Sequence, residues 1–430
     1  MQEQQLEFAF AETPRGGEDR RASDESDAVR NLRRIASPNK SPTGIATAAE
    51  TDRLLESVAS HANLARALLN VRRNKGASGT DGKSVEEEVR ASKQTLRAMG
   101  ESLLNGSYRP GFIRRVWISK QGGGQRGLGI PNVIDRWVQQ AVLQVLEPIF
   151  EPHFHPSSHG FRPHRGAHTA IAEAQKYLAS GLTVVVDMDI SKFFDNVNHQ
   201  RLLARLERRV ADRRVLTLIR LMLQAGVVMP DGARIETREG TPQGGPLSPL
   251  LSNVVLDELD DEIKRRGLSF VRYADDCNIY VRSERSGRRV LESIQRFIEN
   301  RLRLKLNSDK SAVRKPEDTH FLGFCFRKDK DGKQEIYVSR RTKERLVAKV
   351  VTLSPRTWGR SLRSCFEQCN SYLRGWIAYF RICSGKEVER LLDHTDAHLR
   401  RRIRAIVTRQ KKKPRHLLRF LLSLGARPNI

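Results

Sequence analysis

The sequence predicts an α+β fold, and three observations predict it. Short β-branched runs occupy 182–186 and both flanks of Ala274-Asp275-Asp276, and a further short β unit spans 319–338. Stretches of helical periodicity surround these runs. Acids stand where the β runs end: Asp187 and Asp189 after the first, Asp275 and Asp276 at the reversal of the second.

The elements follow in order. Residues 1–50 are rich in Ser, Pro, Gly, Arg and acids and are expected to form a disordered tail, with order beginning near Thr51. Leu64, Ala67, Leu68 and Val71 mark an amphipathic helix that runs into the basic turn Arg72-Arg73-Asn74-Lys75-Gly76. Segments 112–119 and 125–130 form a hairpin around Gly122-Gly123-Gly124. Helices are expected at about 131–149 and 166–179, then a buried strand at 182–190, then helices through 202–206 and 215–223. In Glu239-Gly240-Thr241-Pro242-Gln243-Gly244-Gly245-Pro246-Leu247-Ser248-Pro249 the glycines permit close backbone approach to a ligand. Ser248 and Pro249 read as the cap and first residue of a helix. Its apolar side carries Leu250, Leu251, Val254, Val255, Leu259 and Ile263, and Lys264-Arg265-Arg266 precede a stop at Gly267. A hairpin at 270–282, a helix at 287–302, the β unit at 319–338 and a basic helical remainder at 340–424 complete the chain, which has no internal repeat.

Composition narrows the function. The formal net charge is +27 and the pI about 10.4, an electrostatic footprint for phosphate backbones. No run of roughly 18 apolar residues is present, and no signal-peptide core, so no membrane role is expected. Five cysteines, an odd number, suit a reducing cytosol better than a disulfide framework.

Adjacent carboxylates at a hairpin tip suit magnesium, which takes oxygen ligands and keeps positions for water and phosphate. Two such ions, roughly 3.5–4 Å apart, can hold both the attacking and the leaving oxygen of a phosphoryl displacement. By itself Asp-Asp in a turn is more often a polar surface turn. Asp187 and Asp189 are two apart in a strand and share a face, so the residues alone do not choose between them.

Eight segments in order carry a resemblance. They are Asn74-Lys75-Gly76-Ala77-Ser78-Gly79-Thr80-Asp81-Gly82, Leu128-Gly129-Ile130-Pro131-Asn132-Val133-Ile134-Asp135-Arg136, Ser158-His159-Gly160-Phe161-Arg162-Pro163 and Phe193-Phe194-Asp195; then Thr241-Pro242-Gln243-Gly244-Gly245-Pro246, Tyr273-Ala274-Asp275-Asp276, Phe321-Leu322-Gly323-Phe324 and Leu373-Arg374-Gly375-Trp376-Ile377. From about Asn74 to Arg419 the chain resembles bacterial group II intron-encoded reverse transcriptase/maturases, most closely the compact class lacking an HNH endonuclease domain. It departs from the family at Ile118-Ser119-Lys120, where Ile-Pro-Lys is usual, and at His159, where Tyr is usual.

The resemblance implies a right-hand polymerase: an N-terminal extension and fingers over 51–180, a palm with an antiparallel sheet over 181–338, a helical thumb and maturase region over 339–398, and a basic, shortened DNA-binding region over 399–430. It implies RNA-directed DNA synthesis on a primed RNA template by two-metal nucleotidyl transfer, with binding of an intron RNA to assist splicing and retrohoming. Two Mg2+ ions are then held by Asp189, Asp275 and Asp276 and the carbonyl of Ile190, with Asp189 chosen over Asp187. The dNTP site comprises Lys120, Arg126, Phe194, Gln243 and Lys310. Phe194 matches a steric gate against the 2′-hydroxyl, although from the residues alone it reads as core. Phe321, Leu322, Gly323 and Phe324 match the primer grip, where the glycine lets the turn press on the primer backbone. Nucleic acid is expected along Arg72, Arg73, Lys75, Arg162, Arg400, Arg401, Arg402, Lys411, Lys412 and Lys413.

The implied partners are intron RNA, an RNA template with a DNA or RNA primer, a DNA target and dNTPs, in the bacterial cytoplasm near the nucleoid; homodimerisation is left open. Cys365, Cys369, His394 and His398 have a Cys2His2 pattern, but the long intervening helix speaks against zinc, which is not expected. His153, His155, His159, His164 and His168 read as an RNA-facing or fold-supporting loop. A reverse transcriptase recruited for defence or repair, and a non-catalytic splicing cofactor, are the competing functions.

Overall fold

The computed structural model describes residues 27–36, 52–119, 124–357, 359, 361–410, 415, 416 and 419. An N-terminal helical group comes first: α1 (Asp27–Ile35), α2 (Leu54–Ala59), α3 (His61–Asn74) and α4 (Val85–Leu104). Helix α1 corrects the expected disordered tail. Its composition is that of a tail, but Val29 and Leu32, three residues apart, are fully buried, and the helix packs on α3 and α4. Asp27 in its first turn and Arg33 and Arg34 in its last complement the helix dipole. Helix α4, absent from the sequence-based expectations, has a complete capping box between Ser84 and Glu87, the S-x-x-E signature that could have located it.

Strands β1 (Ile113–Ser119) and β2 (Gln125–Ile130) pair as the expected hairpin. They join β4 (Val227–Val228) and β5 (Arg234–Ile235) in a sheet ordered β2-β1-β4-β5. Two helices follow β2, α5 (Val133–Phe150) and α6 (Ala167–Ala179).

The central sheet is ordered β6-β7-β3-β8 and is antiparallel throughout: β3 (Val184–Asp189), β6 (Ser269–Tyr273), β7 (Asp276–Val281) and β8 (Ala312–Arg314). Strand alternation divides β3 between two cores. Val184, Val186 and Met188 join a large cluster with α5, α7 (His199–Leu206), α8 (Arg213–Leu223) and α9 (Ser248–Arg265). Val185 joins Val271, Tyr280 and α6 on the other face. Asp187 and Asp189 continue that second face beyond the point where its apolar packing stops. Ser248 is the first residue of α9 and not its cap; its hydroxyl donates to the Pro242 carbonyl at 2.7 Å, tying the glycine-rich loop to the helix.

Helix α10 (Glu284–Phe297) leads to β8, and a separate hairpin, β9 (Phe324–Lys328) with β10 (Gln334–Val338), follows. Three helices close the described chain, α11 (Arg340–Leu353), α12 (Leu362–Phe380) and α13 (Gly385–Gln410). No helix among the described residues is long and apolar enough to cross a membrane.

Candidate active site

Asp189 ends β3 and Asp276 begins β7, and the two stand directly opposite in the ladder, so both side chains leave the same face. Asp275 lies in the two-residue turn between Tyr273 and Asp276. The turn places Ala274 at φ +57°, a conformation that suits glycine and stores strain in any other residue. Strain recurs close by, at Lys192 (φ +46°) before the Phe193-Phe194 turn and at Phe161 (φ +58°), whose ring lies 6.2 Å from that of Tyr273.

Asp275 is 1% exposed, and neither of its carboxylate oxygens has a hydrogen-bond partner from another residue. Burial, then the neighbouring Asp189 charge, pushes its pKa up to about 7. A buried carboxylate without partners is costly as an anion. A divalent cation would remove that cost, so this carboxylate suits such an ion, although the described residues hold no ready-made group of three metal-ligating side chains. Asp189 is more open, at 28% side-chain exposure; its carboxylate accepts from the Asn307 amide at 3.2 Å and lies 3.3 Å from the Lys310 ammonium. The segment that carries Lys310 is stitched to the end of β3: Asn307 N–H donates to the Asp189 carbonyl at 2.8 Å, and Ser191 N–H to Lys305 at 2.8 Å. Asp187 has a different partner. Arg314 lies 3.3 Å from its carboxylate, which burial raises to about 6 against the opposing effect of that arginine. Ile190 is buried and bridges Leu306.

Three of the expected nucleotide residues are physically linked. Thr241 N–H donates to the Phe194 carbonyl at 2.6 Å, and Gly240, at φ +89°, passes so near that a Cβ there would lie 2.9 Å from the carbonyls of Phe194 and Asp195. Two residues on, Gln243 accepts from Arg126 Nε at 2.7 Å, and its carbonyl accepts from Gly129 N–H at 2.9 Å. Phe194, Gln243 and Arg126 therefore form one connected wall, with Lys310 on the acid side. The Phe194 ring is 6% exposed and packs edge-on against Phe193 at 5.3 Å. Lys120 lies outside the described residues.

Other expected residues have different surroundings. Phe321, Leu322 and Phe324 are buried, and the turn places Leu322 at φ +53° and Gly323 at φ +87°. The close approach at Gly323 is to the protein itself: a Cβ would lie 3.1 Å from Phe380 and from Thr342, and Tyr379 donates to the Leu322 carbonyl at 3.0 Å. Arg162 is corrected as a nucleic-acid contact. Its guanidinium pairs with Glu151 and donates to the carbonyls of His155 and Ser158, so no donor is left for phosphate. Arg402 likewise turns inward, donating to the Ser354 carbonyl at 2.8 Å and to Val351 at the end of α11. Arg73, Lys75 and Arg401 are exposed, Arg72 is half-buried, and exposed Arg400 pairs with Asp396 at 2.7 Å. Lys411, Lys412 and Lys413 lie outside the described residues.

Of the histidine loop, His159 is buried between Thr169 and Glu173, at 2.8 and 2.7 Å, and His168 meets the Tyr379 carbonyl at 2.7 Å; both support the fold. Cys365 and Cys369 pack with Ile406 and direct their thiols at the Leu353 carbonyl.

Residues 118–326 match the reverse transcriptase (RNA-dependent DNA polymerase) family, and residues 343–421 match the maturase-specific domain of group II introns. Protein YkfC of Escherichia coli is 33% identical over 289 residues, which cover 58% of this chain and 74% of YkfC. The group II intron-encoded protein LtrA of Lactococcus lactis subsp. cremoris is 30% identical over 329 residues, 61% of this chain and 54% of LtrA. The chain belongs to the group II intron-encoded reverse transcriptase/maturases. This reverse transcriptase also resembles the putative COX1/OXI3 intron 2 protein of Saccharomyces cerevisiae, at 27% identity over 53% of this chain and 34% of the yeast protein. It is an RNA-directed DNA polymerase of the right-hand architecture, and enzymes of its family work with divalent metal ions.

Sequence reasoning missed what lies behind the acids of this reverse transcriptase. Arg272, wholly buried in β6, pairs with Asp260 of α9 at 2.6–2.7 Å and donates to Ser158 Oγ, Asn253 Oδ1 and the Ala274 carbonyl. The available signal was a charge between the apolar positions Phe270, Val271 and Tyr273 of a strand.

Proposed function

We propose that Asp189, Asp275 and Asp276, with the Ile190 carbonyl, hold two Mg2+ ions with which this enzyme extends a primer on an RNA template. The observation that carries the reading is the buried Asp275 carboxylate with two unpartnered oxygens, beside the opposed pair Asp189 and Asp276. Bound magnesium would lower the pKa of the primer 3′-hydroxyl and offset charge on the departing pyrophosphate. The chain's own residues then have distinct tasks. Arg126 and Lys120 pair with the triphosphate; Gln243, held by Arg126, lines the sugar and base; Phe194 walls off the 2′-hydroxyl. Lys310, whose ammonium lies 3.3 Å from Asp189, gives a proton to the departing pyrophosphate. The buried turn Phe321-Leu322-Gly323-Phe324 supports the primer through its backbone, on a base formed by α12.

The cations Arg72, Arg73, Lys75, Arg400 and Arg401, together with the sequence-adjacent Lys411, Lys412 and Lys413, serve the phosphates of an intron RNA, whose splicing and insertion at a DNA target the enzyme assists. The proposed division is an N-terminal extension and fingers over 51–180, palm over 181–338, thumb and maturase region over 339–398, and a basic DNA-binding region over 399–430. A cytoplasmic, nucleoid-associated location follows from these partners.

The test is single-nucleotide extension of a primed RNA template with magnesium and dNTPs. Asp275→Asn and Asp189→Asn should each abolish extension while leaving RNA affinity within about twofold, a free-energy change under about 1 kcal/mol. Asp187→Asn, which removes the ion pair with Arg314, should be milder. Sustained extension in Asp275→Asn would remove the assignment.

A further inference from the structure

No other residue holds the Asp275 side chain in place: neither carboxylate oxygen accepts a hydrogen bond from a neighbouring residue. Before an ion binds, its aim depends on the backbone of the two-residue turn. That turn is strained at Ala274, so something must over-determine it.

Two groups grip it. Arg272 Nη1 donates to the Ala274 carbonyl at 2.9 Å, the carbonyl of the peptide that leads into Asp275. On the other side Gly160 is packed so closely that a Cβ there would lie 2.3 Å from Ala274 N. Asn253 joins the two grips. Its carbonyl oxygen accepts from Arg272 Nη1 at 3.1 Å, and its amide donates to the Gly160 carbonyl at 2.9 Å. The stretch before Gly160 runs beside β6, with His159 N–H donating to the Arg272 carbonyl and Arg272 N–H donating to the Ser157 carbonyl, each at 2.9 Å. The fork geometry of guanidinium is required here. One arm and Nε take Asp260, and the other arm takes Asn253 and Ala274, which a single ammonium cannot reproduce.

We infer that Arg272 is a positioning residue for catalysis: it fixes the Ala274 peptide, and thereby the aim of Asp275, while Asp260 neutralises its charge and Gly160 closes the turn from the opposite side. The inference rests on the reading of Asp275 as a metal ligand. It differs from a purely structural role, in which the Arg272–Asp260 pair only ties α9 to the sheet. A structural pair needs a charge at position 272; a positioning residue needs the second arm.

Arg272→Lys separates the two, because lysine can still neutralise Asp260. The full-length variant is compared with the parent by thermal melting, by affinity for a primed RNA template, and by a magnesium titration of single-nucleotide incorporation. The variant should melt cooperatively and bind primer–template as the parent does. Its maximal rate should fall about 100-fold, the cost typical of a reacting group misplaced by about 1 Å, and its half-maximal magnesium concentration should rise. A parental rate and magnesium curve in folded Arg272→Lys would overturn the inference. Should that variant not fold, Gly160→Ala answers the same question with the ion pair intact, since the added methyl must displace the Ala274 peptide; a parental magnesium curve there would also overturn it. Asp275→Asn, run alongside, keeps the two readings apart: its activity would remove the metal assignment itself, whereas a dead Asp275→Asn with a normal Arg272→Lys would remove only the positioning role.

Discussion

At Phe194 one ring has two competing explanations, core packing and sugar selection. The ring is mostly buried against Phe193, while its backbone carries the loop that ends in Gln243. Phe194→Ala should therefore raise ribonucleotide incorporation relative to deoxyribonucleotide by about tenfold or more, roughly 1.4 kcal/mol per tenfold. It should also cost stability of about 3–5 kcal/mol as a lost buried ring. Timing dGTP against GTP opposite one template base checks this, and the ratio is insensitive to the amount of folded enzyme. Asp275 gives a prediction in pH. Its pKa is about 7 in the native state and about 3.9 in an unfolded chain. As pH rises from 4 the unfolded chain ionises first, so this residue's contribution to native stability is lost progressively up to about pH 7 and then stays level. Without divalent metal, Asp275→Asn should be more stable than the parent at pH 8, on the order of a few kcal/mol, and no different at pH 4. Urea melts in chelator at the two pH values measure it. The acids were legible as residues because carboxylates at strand ends are rare company for one another. Their unequal surroundings, with Asp187 on Arg314 and Asp189 on Lys310, were not, since those partners come from a segment more than 100 positions away.

Among the elements, hairpins were read well where two short β-rich runs flank a polar or glycine-rich reversal. The pairs β1–β2 and β6–β7 lie within a residue or two of expectation, because their turns are short and local. Helix α1 was hidden because its charges are those of a tail and only two of its positions, Val29 and Leu32, are fully buried, with Ala28 and Ile35 packed more loosely beside them. Leu32→Ala should destabilise the N-terminal helical group by about 2–5 kcal/mol, read from urea unfolding. An unchanged midpoint would mean that α1 does not dock. Arg162 misled for a related reason: an arginine in a loop looks like a phosphate ligand until its donors are followed to Glu151, His155 and Ser158. Gly323 was read as facing the primer, whereas its missing side chain makes room for Phe380 and Thr342. Sequence registers that a glycine is required, but not which neighbour requires it.

For the molecule as a whole, the excess of positive charge and the order of the motifs set the partner class and the architecture before any contact was known. The arrangement that makes the acids useful is a property of the assembled fold. Two strands bring Asp189 and Asp276 into register, α9 and the 157–160 segment hold the turn, and the 305–311 segment brings a lysine to the acids. The central claim is that this assembly exists to hold catalytic metal. Anomalous diffraction from crystals of the enzyme with a primed RNA template, dNTP and Mn2+ tests it most directly. Two manganese peaks should lie against Asp189 and Asp275, and should vanish in Asp275→Asn. Metal bound elsewhere, with both carboxylates still bare in an active enzyme, would contradict the account.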